Sequence, residues 1–386
     1  MINHLFKLAW NRKKAYTGIF IEQALIAIIL MFSTVKLMET LQKVSDPGLL
    51  DTKNTISYGN DFRKTATPEG SIRMDNHLAL AEHLRKMPFV EAITNSYGLT
   101  PFFDRGKNRI SDSIRIDGKK IKTDVKGADK YSAIVFRIKM QEGTWLEDKT
   151  FEDGSFPAVI TRQFVDSTGW TMALGKKFPY KARTYTVVGV VEGIKDNLFE
   201  PSKAAVILPV DHLNRIDMAV ARVRDKERFI NALNKESNRL YSEYKNTLLV
   251  APVDMMKQAQ IFSNAMELIL ISIPVLFLTV FAFIGVFGVF NLQAKKHFRE
   301  FALRIALGAT KWKLMGIVIG ESLLINALAS MPALLLSFLI YDYSAASNII
   351  GVFTSIGVML LFSVISAWYP AWTVSRVNPA EALQYE

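Results

Sequence analysis

The sequence predicts a membrane α-helical protein with four transmembrane helices and a large α+β extracytoplasmic domain inserted between helices 1 and 2. Three observations carry that expectation. Half of the 386 residues are hydrophobic and the mean hydropathy is positive, which is too apolar for an ordinary soluble chain of this length. The apolar residues gather in four long runs, whereas residues 37–262 alternate short β-type stretches with polar-faced helical ones. One strongly basic segment, residues 291–313 (NLQAKKHFREFALRIALGATKWK), lies between the second and third runs.

Residues 1–14 read as an interfacial helix on the cytoplasmic surface, with HLFKLAW at 4–10 ahead of Arg12, Lys13 and Lys14. Residues 15–36 form the first span, long enough for a hydrocarbon core of roughly 30 Å. The run has no small-x-small cleavage site before Lys36, so it reads as an uncleaved anchor and not a signal peptide. The positive charges from Lys7 to Lys14 place the N-terminus inside.

Residues 37–262 then form the external domain with its stalk. Residues 37–45 extend the first helix until Pro47 stops it. Residues 75–87 read as a helix with Leu78, Ala81, Leu84 and Met87 on one face, ended by Pro88. Strands are expected at 89–95, 113–116, 134–138, 158–160, 185–191, 205–208 and 248–250. Residues 225–244 read as a helix with Phe229, Ile230, Leu233, Leu240, Tyr241 and Tyr244 inward. The domain is expected to divide into two lobes.

Asp254 reads as the N-cap of a helix that meets no breaker before the second span, 263–291, and so forms one long rod. Pro274 is a candidate kink, and Gly285 and Gly288 allow close helix contact. Residues 292–313 are the connector. Lys295, Lys296, Arg299, Arg304, Lys311 and Lys313 face a single acid, Glu300, and short loops of this sign stay cytoplasmic. Phe298, Phe301, Ala302 and Ile305 recur at helical spacing, and no Pro or Gly occurs between Gln293 and Leu307. Gly308 suits a left-handed helix end, and Thr310 suits the cap of the next helix. The third span is 314–341, with Pro332 inside it. The turn YDYSAASN carries no Lys or Arg, as a short external loop should. The fourth span is 349–369, and residues 370–386 return inside as a cytoplasmic tail.

Several kinds of chemistry are excluded or unsupported. The net charge of +11 is spread over the external segment and the membrane ends, with no basic stripe interleaved with aromatics, so no nucleic-acid partner is expected. No cysteine is present, which removes disulfides, zinc thiolates and thiol catalysis. His77 and His83 are six residues apart, on different helix faces, and no metal or other cofactor is expected. Residues 169–177 (GWTMALGKK) carry one residue too many for a P-loop and Lys where Ser or Thr would hold magnesium. The chain is therefore read as non-catalytic, with any ATP hydrolysis belonging to a separate subunit. Three acids touch the spans: Glu267 reads as sitting at the external interface of the second, whereas Glu22 and Glu321 lie deeper, inside the first and third. Intramembrane acids are candidates for function. Here they read as polar contacts of the bundle interior or of a dimer, with snorkelling and proton or ion coupling as alternatives. Beyond these two acids, little polar lining is expected in the bundle. The connector itself has a plainer alternative, a basic helix resting on anionic membrane lipid.

Residues 284–314 (IGVFGVFNLQAKKHFREFALRIALGATKWKL) resemble the core of the MacB/FtsX-type permeases of ABC transporters. Asn291, Glu300, Arg304, Ala306, Leu307, Gly308 and Ala309 match that pattern, while His297, Phe301 and Ala302 stand where Arg, Ile and Gly are usual. Residues 369–386 (YPAWTVSRVNPAEALQYE) resemble the family's closing motif. LRKMPFVEAIT, residues 143–160 and residues 185–194 resemble passages of its external domain. The resemblance implies a permease subunit in a bacterial inner membrane, with both termini cytoplasmic. It also implies a separate cytoplasmic ABC ATPase, and assembly as a homodimer or a heterodimer with a paralogue. A periplasmic adaptor and outer-membrane channel are further partners that it allows. Lys296, Arg299, Glu300, Arg304 and Gly308 are the residues expected to couple to the ATPase. An FtsX-like signalling scaffold that regulates a partner such as a cell-wall hydrolase stays open as the alternative. So do the substrate and the choice between transport and signalling.

Overall fold

The computed structural model describes residues 13–61, 70–103, 110–213, 218–242 and 247–376. The interfacial helix expected at 4–10, Tyr244, and the end of the closing motif after Arg376 lie outside them. The chain divides into two compact units, one of residues 1–42 with 265–386 and the other of residues 43–264.

The mixed unit carries two sheets. The smaller is antiparallel and contains β1 (Thr55–Asp61), β2 (Val90–Thr94), β10 (Ala219–Val223) and β11 (Thr247–Pro252) in the order β11-β1-β10-β2. Two helices cover it, α2 (Gly70–Arg85) and α5 (Lys226–Leu240). Their apolar stripes, Leu80, Ala81 and Leu84 with Phe229 and Leu233, pack with Ile56, Tyr58, Ile93, Ala219 and Ala221 as one core. Ala81 and Leu84 of the expected face are buried and Met87 packs against the same core, whereas Leu78 is exposed and Leu80 takes its place inside. Asp225 caps α5 by accepting from Arg228 N at 3.0 Å, which satisfies one of the unpaired amides of the first turn.

The larger sheet takes β3 (Ile110–Ile116), β4 (Lys119–Ala128), β5 (Met140–Gly143), β6 (Phe156–Thr161), β7 (Lys177–Tyr180), β8 (Arg183–Val191) and β9 (Ala205–Pro209). Its order is β3-β4-β9-β6-β8-β5 with β7 paired to β8, and it is mixed: β4–β9 and β6–β8 are parallel. One face buries Ile114, Ala158, Ile160, Phe164, Phe178, Tyr185 and Val206, with Phe164 coming from α4 (Arg162–Thr168). A second core joins residues of both sheets, Ala92 and Val220 with Val159 and Ile207, around Val135 and Phe136.

Those last two residues belong to α3 (Ser132–Phe136), where a strand was expected. Asp129 decides the difference. Its carboxylate accepts from Tyr131 N and Ser132 Oγ, both at 3.0 Å, and so turns the chain into a helix despite the β-branched run. Burial raises the Asp129 pKa. Arg222 of β10 is 2% exposed and donates to Val135 O, Lys53 O and Asp51 O at 2.6, 2.8 and 2.7 Å. One guanidinium thus binds α3 and the segment before β1 to the smaller sheet.

Four helical stretches are long and apolar enough to cross a membrane: Tyr16–Ser45, Val253–Lys296, Lys311–Ile340 and Ala346–Ser375. The first lies in α1 (Lys13–Ser45), which runs to Ser45 as expected. The second is α6 (Val253–Lys296), 44 residues with Pro274 inside. Asp254 sits in its first turn and not at the cap, where its carboxylate accepts from Thr52 Oγ1 at 3.2 Å. The third is not one helix. It divides at Ser330 into α8 (Lys311–Ala329) and α9 (Met331–Ile340), because Pro332 has no amide to continue the ladder and is tolerated only in a first turn. The fourth, α10 (Ala346–Ser375), continues past Tyr369 with Pro370 inside and buried.

Candidate functional site

Helix α6 runs into the connector and stops at Lys296. A single turn residue, His297, separates it from α7 (Phe298–Ala306), so the stretch from Gln293 to Leu307, which has no Pro or Gly, divides there into two helices. The bonds His297 N to Gln293 O and Phe301 N to His297 O, 3.0 and 3.1 Å, carry the helical pattern across the division. Phe301 and Ala302 are buried, and Phe301 packs with Phe290, Ala294, Leu314 and Val318. This inward face is the one read from the spacing.

The end of α7 has a physical cause. Gly308 takes φ +90°, its amide bonds Ile305 O at 2.9 Å, and the Ala309 amide reaches back to Arg304 O at 2.9 Å. That pair of bonds is the Schellman arrangement, which requires a left-handed residue at the position of Gly308. Thr310 then precedes α8 in extended conformation, and its carbonyl accepts from Lys313 N and Leu314 N at 3.1 and 3.2 Å. Its side chain makes no capping bond, so the cap is backbone only.

On the outward side, Arg304 Nη2 donates to Glu300 Oε1 at 2.6 Å, and His297 Nδ1 lies 3.4 Å from Glu300 Oε2. Lys296, Arg299 and Gly308 are exposed, as are Lys295, Lys311 and Lys313. The structure therefore places the five expected coupling residues on one short helix and its two flanks. It adds apolar residues that were not singled out: Leu303 is 54% exposed, Leu307 79% and Trp312 77%. A signal for them was present, since Arg299, Leu303 and Leu307 recur every four residues opposite the Phe301 face.

Inside the helical unit, Glu321 is buried and accepts from Tyr16 Oη at 3.3 Å. It lines a small cavity with Gln293, Phe290, Ala294, Phe301 and Val318. Glu22 packs its carboxylate against Gly285, where an added Cβ would lie 3.0 Å from each oxygen. The expectation of little further polar lining is corrected. Gln23, Thr279, Ser322, Asn326, Ser330, Ser363 and Ser366 are also buried. Ser322 and Ser363 share a hydroxyl bond of 2.7 Å, and Asn326 Nδ2 donates to Met359 O at 3.0 Å. Short polar side chains of this kind join helices where lipid offers no partner; scattered among apolar residues they give no periodic signal in the sequence.

The other sequence candidates are placed apart. His77 bonds Asn95 Oδ1 at 3.1 Å and His83 meets Glu236 at 3.4 Å, and no group of ligands that could hold a metal occurs among the described residues. Residues 169–177 follow α4 and lead into β7, so no helix N-terminus stands there to receive a phosphate.

Two family models match the chain. The MacB-like periplasmic core domain covers residues 24–240, more than half of the chain, and the FtsX-like permease C-terminal covers residues 271–379. A curated relative, the macrolide export ATP-binding/permease protein MacB of Syntrophobacter fumaroxidans, is 24% identical over 110 residues, which are 27% of this chain and 15% of that protein. The chain thus matches a minor part of that relative's length. Among solved structures, the periplasmic region of MacB from Actinobacillus actinomycetemcomitans aligns with 54% of this chain and 92% of its own, at 16% identity and a TM-score of 0.39. The extracellular domain of the ABC-type transporter YknZ from Gram-positive bacteria aligns with 51% of this chain and all of its own, at 17% identity and a TM-score of 0.36. With its MacB-like periplasmic core domain and FtsX-like permease domain, the chain belongs to the MacB/FtsX-type family of ABC transporter permeases.

Proposed function

We propose that this chain is the membrane subunit through which a separate cytoplasmic ATPase does conformational work on an extracytoplasmic domain. The observation that carries the reading is α6, a helix of 44 residues that runs into the connector and ends one residue before α7. At 1.5 Å per residue it is about 66 Å long, enough to cross a bilayer and extend beyond it as a rod. Nucleotide-driven closure of the ATPase pushes α7, α6 passes the displacement on, and the α+β domains of two paired copies, or of one copy and a paralogue, open or close on each other.

The charge pattern supports the orientation. The cluster from Lys295 to Lys313 keeps the connector cytoplasmic, which puts both termini on that side and the α+β domain outside the bacterial inner membrane. Lys296, Arg299, Glu300, Arg304 and Gly308 form the docking surface, with Leu303 and Leu307 as its apolar centre, because a central apolar contact within a polar rim is how protein interfaces gain affinity. The polar side chains inside the helical unit bond across helices, to one another and to a backbone carbonyl, which favours work on the outer side over passage of a substrate through the bundle. A periplasmic adaptor and an outer-membrane channel complete the assembly in an envelope that has an outer membrane.

Because the chain has no cysteine, a single Leu303→Cys can be cross-linked cleanly. In proteoliposomes holding the chain and its ABC ATPase, this position is expected to cross-link to the ATPase with a yield that changes on ATP binding. A Cys placed there that reacts only with lipid-borne reagents, at the same rate with and without nucleotide, would favour the lipid-resting helix and remove the reading.

A further inference from the structure

Within the α+β unit, the loop of residues 192–203 between β8 and β9 touches both the C-terminal end of α1 and the N-terminal turns of α6. Lys195 is its centre. Its side chain is wholly buried, and Nζ donates to Lys43 O and, at 3.0 Å, to Asp46 O. Its amide donates to Gly48 O at 2.9 Å. The last carbonyls of a helix lack partners inside the helix and carry the negative end of its dipole. Here an ammonium from a distant part of the sequence supplies both the missing donors and the matching charge. Burying an ammonium is costly unless its protons are used, and an apolar side chain would fill the same space, so the charge is kept for the grip it gives.

The neighbours of Lys195 extend that grip. Ser202 Oγ donates to Pro47 O at 2.5 Å. Gly48, at φ +104°, lies so close to Gly193 that an added Cβ would stand 2.6 Å from its carbonyl carbon. Asp196 faces the other way: its carboxylate accepts from Lys126 Nζ of β4 at 2.5 Å, with Lys126 4% exposed, and its carbonyl accepts from Phe102 N at 2.7 Å. Two residues further, Leu198 N donates to Gln260 Oε1 of α6 at 3.4 Å. Adjacent residues of opposite charge thus connect a helix end to a buried sheet position, and the same loop reaches the second helix.

We propose that residues 192–203 are a clip that holds the end of α1 and the start of α6 in fixed register on the larger sheet, with Lys195 as the positioning residue. Its role in passing force to the domain rests on the function proposed above; the clip itself does not. It makes the two helices deliver one common displacement to the sheet through Asp46, Lys195, Asp196 and Lys126, where a loose joint would absorb the movement.

The test is a distance distribution between spin labels at Val44→Cys and Ile261→Cys, both about two-fifths exposed, in the full chain in lipid nanodiscs without any ATPase. With Lys195 present, one narrow distribution is expected. Lys195→Met keeps the volume and removes the donors, and should at least double the width while near-ultraviolet circular dichroism stays native. Gln260→Ala removes the second contact and should broaden the distribution less. A width unchanged in Lys195→Met overturns the clip. If that variant does not fold, Gln260→Ala decides, and an unchanged width there overturns it equally. Loss of ATPase cross-linking with the narrow distribution intact would instead remove the function reading and leave the clip standing.

Discussion

Arg304 donates to the carboxylate of Glu300 at 2.6 Å, one helical turn back along the connector, and His297 approaches the same carboxylate from the other side. The single acid of this basic segment is thereby held between a guanidinium and an imidazole on the outward face of α7. An exposed pair four residues apart on a helix contributes about 0.3–0.5 kcal/mol, so its loss leaves the fold in place. Glu300→Lys reverses the sign of that position. It should lower stimulated ATPase activity in the assembled transporter by tenfold or more, with insertion and thermal midpoint nearly unchanged. A variant that couples like the parent would show that Glu300 is only a surface charge.

Gly308 sets the angle at which the chain leaves the connector. Its φ of +90° is accessible to glycine, whereas a side chain in left-handed conformation costs roughly 1–2 kcal/mol. Nothing lies within 4 Å of an added Cβ, so the cost of Gly308→Ala is conformational and not steric. Gly308→Pro cannot adopt the angle at all. Thermal unfolding in nanodiscs should show a small loss for Ala, and coupling assays a larger loss for Pro than for Ala. Equal behaviour of the two variants would contradict the left-handed cap.

Arg222 joins three backbone carbonyls while buried in β10. Replacing it by Met leaves those acceptors without donors, and breaking a buried charge network of this kind costs about 3–5 kcal/mol. Arg222→Met is therefore expected to give poor expression or a thermal midpoint lowered by many degrees, whereas Arg228→Met, on the exposed side of α5, should change little.

His212, in the α+β unit, gives a pH signature near neutrality. Burial first, and the Arg183 guanidinium second, hold its pKa below the ordinary histidine value, while its ring lies 3.2 Å from Tyr185 Oη and edge-on to Phe156. Above about pH 6.5 the ring is neutral in folded and unfolded chains, and its contribution is complete. As pH falls below that, the unfolded chain takes up the proton first, so stability declines until the depressed folded pKa is reached. Denaturant unfolding at pH 7.5 and 5.5 should show this decline in the parent and a smaller one in His212→Gln. Equal declines would assign the pH dependence elsewhere.

Most of the architecture was legible because it rests on local patterns. The four apolar stretches, the strands near Ala158, Tyr185 and Ala205, and the amphipathic stripe of Phe229 and Leu233 each announce themselves by periodicity. What was not legible depends on distant partners. Residues 134–136 carry a β-branched pattern but follow Asp129, whose carboxylate turns them into a helix. The division at His297 has no Pro or Gly to mark it. Ser322, Asn326 and Ser363 have meaning only once two helices bring them together, and Lys195 looks like any surface lysine until the end of α1 is placed against it. At the connector the charged residues dominate the pattern, and the exposed Leu303 and Leu307 between them were passed over although their four-residue spacing opposite the Phe301 face is in the sequence.

The central claim is that the connector and the α+β domain lie on opposite sides of one membrane and are joined by a helix. In this cysteine-free chain, Lys296→Cys and Asp148→Cys can be labelled one at a time with a membrane-impermeant maleimide in intact spheroplasts and in inverted vesicles. The account predicts that position 148 reacts only in spheroplasts and position 296 only in inverted vesicles. Labelling of both positions from the same side would contradict it.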